Sequence, residues 1–221
     1  MKLYKYVSSK YLDSIIKEGR IRFNSLRYYR SIEDNERRDE NEGNLKYKPQ
    51  KGLELNFLDG REGTLYGSFD SSINDKDIFV FCLSTKLCPN LAKKFKVDCC
   101  IEISKSDRVF AKINKEIKNR HSDIKPNKIF RDRIVYYNEN DLPLHYWALP
   151  QQIVLRKKIN FQLEYEYRIF FSFNNALDFG NTKQVLTTEE FKKYEKIEEN
   201  FYQINIGNIS QYTKIHKFKK E

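Results

Sequence analysis

From Ile78 to Leu83 the chain reads Ile-Phe-Val-Phe-Cys-Leu without a polar break, and Ser84-Thr85-Lys86 closes the run. A half-buried strand would alternate apolar and polar residues, so this run suits a central strand covered on both faces. That places it inside a sheet with packed layers above and below. A second buried strand, Val97-Asp98-Cys99-Cys100-Ile101-Glu102-Ile103, precedes a helix on which Phe110, Ile113 and Ile117 form one stripe.

The other segments have the same mixed character. Leu3 to Val7 reads as a strand, Ser8-Ser9 as the cap of a helix carrying Leu12, Ile15 and Ile16, Gly19 as its C-terminal stop, and Arg20 to Phe23 as a second strand. Further strands are expected at Ile134 to Tyr137, Gln152 to Leu155, Gln162 to Phe173 and Phe201 to Ile206. Thr187-Thr188-Glu189-Glu190 has the capping-box pattern of a helix start, and His145-Tyr146-Trp147 after Pro143 reads as a short helix packed beneath the sheet. The order predicts an α+β fold. From Asn24 to about Gly60 the chain is highly charged and lacks an apolar period, so it is expected as a long loop insertion with at most a helical turn.

A chain of 221 residues with 39% hydrophobic residues supports one good core, hence a single compact domain over 1–221. No run approaches the roughly 18 apolar residues of a membrane span, and the first residues lack the apolar stretch of a signal peptide. These features predict a cytoplasmic chain with no membrane partner. Cys82, Cys88, Cys99 and Cys100 lack paired C-x-x-C spacing, and His121, His145 and His216 fall in no ligand cluster, so no metal is expected. There is no glycine-rich phosphate loop and no G-x-S-x-G hydrolase motif.

The formal charge of +10 points to an anionic partner, a nucleotide or a nucleic acid bound through basic surface. The densest basic cluster is the tail Lys214, Lys217, Lys219 and Lys220; the remaining lysines are spread as biased coding would leave them.

The chemistry concentrates in Phe161 to Phe171. Strand alternation there puts Glu164, Glu166 and Arg168 on one face, with Tyr165, Tyr167, Ile169 and Phe171 on the other. Two carboxylates beside an apolar strand suit acid/base work or stabilisation of a cation. The plainer alternative is a solvated face on which Arg168 pairs Glu166. A metal-dependent nuclease built on Glu33, Asp34, Glu36, Asp39 and Glu42 is a further reading, opposed by their position in a loop. A non-catalytic partner-binding protein could use Tyr28, Tyr29, Tyr136-Tyr137 and Tyr146-Trp147, which are more often core residues.

The order of these motifs resembles the ADP-ribosyltransferase superfamily, with a basic first strand at Lys5 or Arg22, Ser84-Thr85 ending a central strand, and Glu164-x-Glu166 on a later one. Tyr4-Lys5-Tyr6, Phe81-Cys82-Leu83-Ser84 and Glu164-Tyr165-Glu166-Tyr167-Arg168 are more closely similar to a group of bacterial and phage proteins with FCLS and E-x-E-Y-R motifs. The resemblance implies a split central sheet with flanking helices that grips NAD as substrate. It implies that Glu166 stabilises the oxocarbenium formed as nicotinamide leaves, that Glu164 orients the acceptor and that Ser84 supports Glu166. Tyr4, Lys5, Tyr6, Arg22, Thr85 and Arg168 would contact the dinucleotide, Lys5 or Arg22 at its pyrophosphate and Tyr6 stacked near nicotinamide. Arg27 to Gly43 would cover the site or choose the acceptor. A role in toxicity or phage–host conflict is implied by the same likeness, with nucleic acid or protein as the acceptor. Lys5 stands where the family offers His or Arg, and Lys86 interrupts a Ser-Thr-Ser pattern. A module that binds a nucleotide without turnover is therefore the alternative outcome on the same scaffold.

Overall fold

The computed structural model of the chain describes residues 1–31, 39–121, 128–188 and 200–218. Strand β1 (Leu3–Val7) leads through a 3-10 turn (Ser9–Tyr11) into helix α1 (Leu12–Ile16), then β2 (Arg20–Ser25). Ser8 precedes the turn but makes no side-chain cap; instead the amide and hydroxyl of Ser9 both donate to Asp98, at 2.7 Å each. Gly19 turns the chain with φ +67°, and a Cβ there would lie 2.2 Å from the Gly207 carbonyl oxygen, so conformation and close approach both require glycine.

Helix α2 (Leu26–Ser31), β3 (Asn44–Tyr47), β4 (Leu53–Asn56), β5 (Glu62–Leu65) and β6 (Ser68–Ile73) follow. The stretch from 24 to 60, expected as a loop, is therefore partly helix and strand. Its order is supplied from a distance: β3 pairs antiparallel with β6, and Leu45 and Leu26 are fully buried. Tertiary pairing here overrides a local composition that favours no regular structure. Glu33, Asp34 and Glu36 lie outside the described residues.

The apolar run forms β7 (Ile78–Ser84), followed by α3 (Pro89–Lys94), β8 (Cys99–Ile103), α4 (Ser106–Arg120), β9 (Phe130–Arg133) and β10 (Val135–Tyr137). Residues His145–Ala148 form the expected short helix, of 3-10 type. Pro150–Val154 is helix α5, which corrects the strand expected at Gln152 to Leu155. A short apolar run cannot distinguish buried helix from buried strand by period, and Pro150 is preset for a first helical turn. After β11 (Arg156–Lys158) a 3-10 segment (Ile159–Glu164) precedes β12 (Glu166–Ser172), so that strand begins later than expected. The chain ends with β13 (Thr182–Thr187), β14 (Phe201–Asn205) and β15 (Thr213–Lys217). Thr187 closes β13; the helix expected from Glu189 onward lies outside the described residues, as do Lys219 and Lys220.

The fold is mixed α and β, organised on one large antiparallel sheet. β7 is its centre. One edge of β7 pairs with β12 along its whole length, from Glu166↔Ser84 to Ser172↔Ile78, and β12 pairs onward with β9. The other edge is shared: β2 takes the start, at Asn24↔Val80 and Ser25↔Phe79, and β1 takes the end, at Tyr4↔Ser84. The sheet thus forks, one branch running β2–β14 and the other β1–β8–β15.

Alternation along β7 and β12 divides the interior into two cores, as the unbroken apolar run requires. Phe79, Phe81, Leu83, Tyr167, Ile169 and Phe171 face a core closed by α1 and α4. Ile78, Val80 and Phe170 face a second core with Leu26, Leu45, Trp147, Ile153 and Val154. A smaller sheet in the order β13–β6–β3, the β4–β5 hairpin and the parallel pair β10–β11 lie outside the main sheet. No described helix is long and apolar enough to cross a membrane.

Candidate functional site

Antiparallel partners share a sheet face, so the pairings Tyr4↔Ser84 and Ser84↔Glu166 lay one residue from each of the three sequence motifs in a single row across β1, β7 and β12. Cys82 and Arg168 form the adjacent row. Arg22 joins this face from the other branch, because its neighbour-but-one Asn24 pairs with Val80. Lys5 does not: it shares a face with buried Leu3 and Val7. Its Nζ lies 4.5 Å from the centroid of the Phe81 ring and donates to the Cys82 carbonyl at 2.8 Å. That carbonyl sits in the fork, where neither β1 nor β2 registers against Cys82, so the ammonium supplies a donor there.

The E-x-E segment is not a continuous strand. Tyr165 sits in the left-handed region at φ 47° and ψ 44°, between the end of the 3-10 segment and the start of β12. The alternation argument therefore fails at Glu164, yet the kink still brings both carboxylates to the same cation: Lys157 Nζ lies 2.8 Å from Glu164 and 3.3 Å from Glu166. The backbone kink is held by the end of β7. Ser84 Oγ donates to the Glu164 carbonyl at 2.9 Å, and the Thr85 amide donates to the Tyr165 carbonyl at 2.8 Å. Ser84 and Thr85 thus position the segment through its main chain. Lys86 completes the bracket, with its Nζ 3.2 Å from the Tyr165 hydroxyl.

Glu166 and Arg168 do pair, but on a buried face rather than a solvated one: Glu166 is 6% exposed and Arg168 1%. Arg168 Nε donates to Glu166 at 2.7 Å, while its Nη atoms form a forked pair with Glu42 at 2.5 and 2.9 Å. A further bond, to the Val154 carbonyl at 2.6 Å, fixes the guanidinium. Lys94 closes the other end, 2.8 Å from Glu164. Glu42, Glu164 and Glu166 thus face Lys94, Lys157 and Arg168, three carboxylates to three cations.

The charges support one another. Burial works against ionisation of Glu166, but Arg168 and Lys157 outweigh it and hold the carboxyl well below the usual range. Burial likewise opposes the charge on Lys157 and on Arg168. Glu166, Glu164 and Glu42 overcome it at Lys157, and Glu166 and Glu42 at Arg168, so both pKa values rise. Asp39 is the odd carboxylate: burial, then the charge of Glu42, pushes its pKa up to about 6. Of the acidic residues considered for a nuclease, Glu42 belongs to an ion-pair network, and Asp39 is buried beside it, accepting the Asn41 amide at 3.0 Å. Among the described residues no group of three or more His, Cys, Asp and Glu side chains is placed to hold a metal.

The remaining expected residues have defined roles. The Tyr6 hydroxyl accepts from the Cys88 amide at 2.6 Å and donates to the Lys86 carbonyl at 2.9 Å, so it anchors the segment after β7. Tyr4 is half-buried in the shared row. Arg22 is exposed, its guanidinium 3.9 Å from the centroid of the Phe201 ring and its Nε 2.8 Å from Asn24. Cys82 Sγ, 3.3 Å from the Tyr29 hydroxyl, has its pKa pushed by burial to about 12, which removes it as a nucleophile at neutral pH.

Sequence reasoning did not find Lys157 or Lys94, and it read Glu42 only as a nuclease carboxylate and Tyr136 only as a partner-binding aromatic, whereas the Tyr136 hydroxyl accepts the Glu166 amide at 3.0 Å. Glu42 is 126 positions from Arg168 and carries no local signal. Lys157, just ahead of the E-x-E segment, was the one legible candidate, since two neighbouring buried carboxylates require a cation. No family model matches this chain, and neither a curated protein nor a solved structure does.

Proposed function

We propose that the chain is an ADP-ribosyltransferase-like protein that takes NAD as substrate on the forked face, with Glu166 at the reacting ribose. The single observation that carries the reading is the row Tyr4, Ser84, Glu166, in which three motifs far apart in sequence meet on adjacent strands at the fork. Glu166 is held ionised, the form that accepts a ribose hydroxyl and stabilises the positive charge developing at C1′ as the glycosidic bond to nicotinamide breaks. Exposed Arg22 on the same face suits the pyrophosphate, and Glu164 stands beside Glu166 toward the acceptor.

The test is incubation of the purified chain with nicotinamide-labelled and adenylate-labelled NAD, beside Glu166→Gln. Glutamine keeps the size but not the charge, so nicotinamide release should fall by about a hundred-fold or more. Thermal melting of both proteins separates this from unfolding. Equal release by wild type and variant would refute the role of Glu166.

One observation favours a second reading, a nucleotide-binding module without turnover. Both oxygens of Glu166 are engaged, by Arg168 Nε at one and by Arg168 Nη2 and Lys157 at the other. Calorimetric NAD binding without nicotinamide release would select it.

A further inference from the structure

Glu166 is 6% exposed, and both its oxygens are engaged within the chain. A substrate reaches it only if a neighbouring element moves, and the structure separates what is fixed from what is loosely held. Arg168 lies on β12 between two paired neighbours, Cys82 on β7 and Asp132 on β9. Lys157 lies on β11, which among the described strands pairs only with β10, outside the main sheet. The 3-10 segment Ile159–Glu164 that follows belongs to no sheet, and of its six residues only Phe161 and Glu164 are buried. Its backbone bonds are of the poorer 3-10 kind, and left-handed Tyr165 joins it to β12.

Those two buried side chains enclose Lys157. Its Nζ stands 2.8 Å from Glu164, 3.3 Å from Glu166 and 4.4 Å from the centroid of the Phe161 ring, so two carboxylates and an aromatic face hold one ammonium. Lys94 of α3 fastens the segment, 2.8 Å from Glu164. The Lys94 side chain is 27% exposed, against 6–7% for Glu164, Lys157 and Glu166, so solvent reaches the cluster at this pair.

We propose that the chain is self-inhibited: Lys157 plugs the carboxylate that the reaction uses, and Ile159–Glu164 is a strap, latched by the Lys94–Glu164 pair, that keeps the plug in place. Lifting the strap takes Glu164 and the Phe161 ring away from Lys157. The ammonium then leaves one oxygen of Glu166 to a ribose hydroxyl, while Arg168 keeps the other. Lys157 holds its charge against the same carboxylate that the positive charge of the reaction needs, so plug and substrate exclude each other. As a block on catalysis this rests on the NAD reading above; as a moving strap it does not.

The experiment is hydrogen exchange of the full chain, read by mass spectrometry on wild type, Lys94→Gln and Lys94→Glu at low and high salt, beside nicotinamide release from labelled NAD by the same proteins. Three amides report the strap: Tyr165, bonded to the Gln162 carbonyl at 3.2 Å; Glu166, bonded to the Tyr136 hydroxyl at 3.0 Å; and Thr85, bonded to the Tyr165 carbonyl at 2.8 Å. Amides at the centre of β7 and β12 are the control for global unfolding. Lys94→Gln should speed exchange of the reporters by about five-fold, and Lys94→Glu, which sets like charges together, by more, with the control amides unchanged. Salt screens a part-exposed ion pair, so it should speed the reporters in wild type but not in Lys94→Gln. Nicotinamide release should rise by the same factor as exchange, because both follow the open fraction.

Reporter exchange equal in all three proteins, or changing only in step with the control amides, would overturn the strap. Faster exchange with nicotinamide release no higher than that of an active wild type would overturn the block. If exchange responds as expected while no protein binds or cleaves NAD, the NAD reading has failed and the strap stands alone.

Discussion

The most exacting consequence of the buried charge cluster concerns Arg168→Met. Arg168 and Glu42 are each 1% exposed, and the substitution removes both bonds of their forked pair, the Glu166 bonds at 2.7 and 3.3 Å, and the bond to the Val154 carbonyl. Glu166 retains Lys157, but Glu42 loses its bidentate partner. Stranding one member of a buried ion pair typically destabilises by about 3–5 kcal/mol. The same reasoning requires that removing the stranded charge restore stability. Glu42→Leu/Arg168→Met should therefore be more stable than Arg168→Met alone by about 2 kcal/mol, although it carries the greater number of changes. Urea unfolding followed by far-UV circular dichroism at neutral pH gives all four corners of the cycle. A loss below about 1 kcal/mol for Arg168→Met, or two single losses that add within about 0.5 kcal/mol, would refute the argument that these side chains act as one charge unit.

Asp39 gives a pH signature of the opposite kind. Its folded pKa is raised from 3.8 to about 6, so the neutral form stabilises the fold at low pH and that contribution is lost as pH rises through the window to about 6. Asp39→Asn should match wild type near pH 4 and exceed it by up to roughly 3 kcal/mol near pH 7, as denaturant curves at the two pH values would record. A stability difference independent of pH would exclude Asp39 as the titrating group. At Tyr165 the left-handed conformation disfavours any side chain by about 1–2 kcal/mol, and a β-branched one most. Tyr165→Gly should stay within about 1 kcal/mol of wild type, exchanging that strain for the lost contact of Lys86 with the ring, whereas Tyr165→Val should melt lower. Equal melting of the two variants would show that the kink is not what holds the segment.

The sequence by itself determined what depends on short-range pattern. The apolar run at Ile78–Ser84 became the centre of the sheet because a segment without polar residues can only be covered on both faces. The stripe at Phe110, Ile113 and Ile117 became α4 for the matching reason at helical period. Glu164 and Glu166 were legible as two carboxylates beside an apolar strand, and the resemblance alone added Ser84, whose hydroxyl meets the Glu164 carbonyl. Tertiary structure decided their partners. Lys157 reaches Glu164 and Glu166 only because the chain kinks at Tyr165, and Glu42 reaches Arg168 from a charged stretch whose strand β3 is ordered by pairing with β6. Lys5, read as a ligand contact, was turned to the opposite face by the register of β1, and Gln152 to Leu155 was turned into helix by Pro150 and the core around Ile153 and Val154. Charge pairing and strand pairing act between residues brought close only by folding, so no local window of sequence contains them, whereas burial of an apolar face is written into the period of the residues that form it.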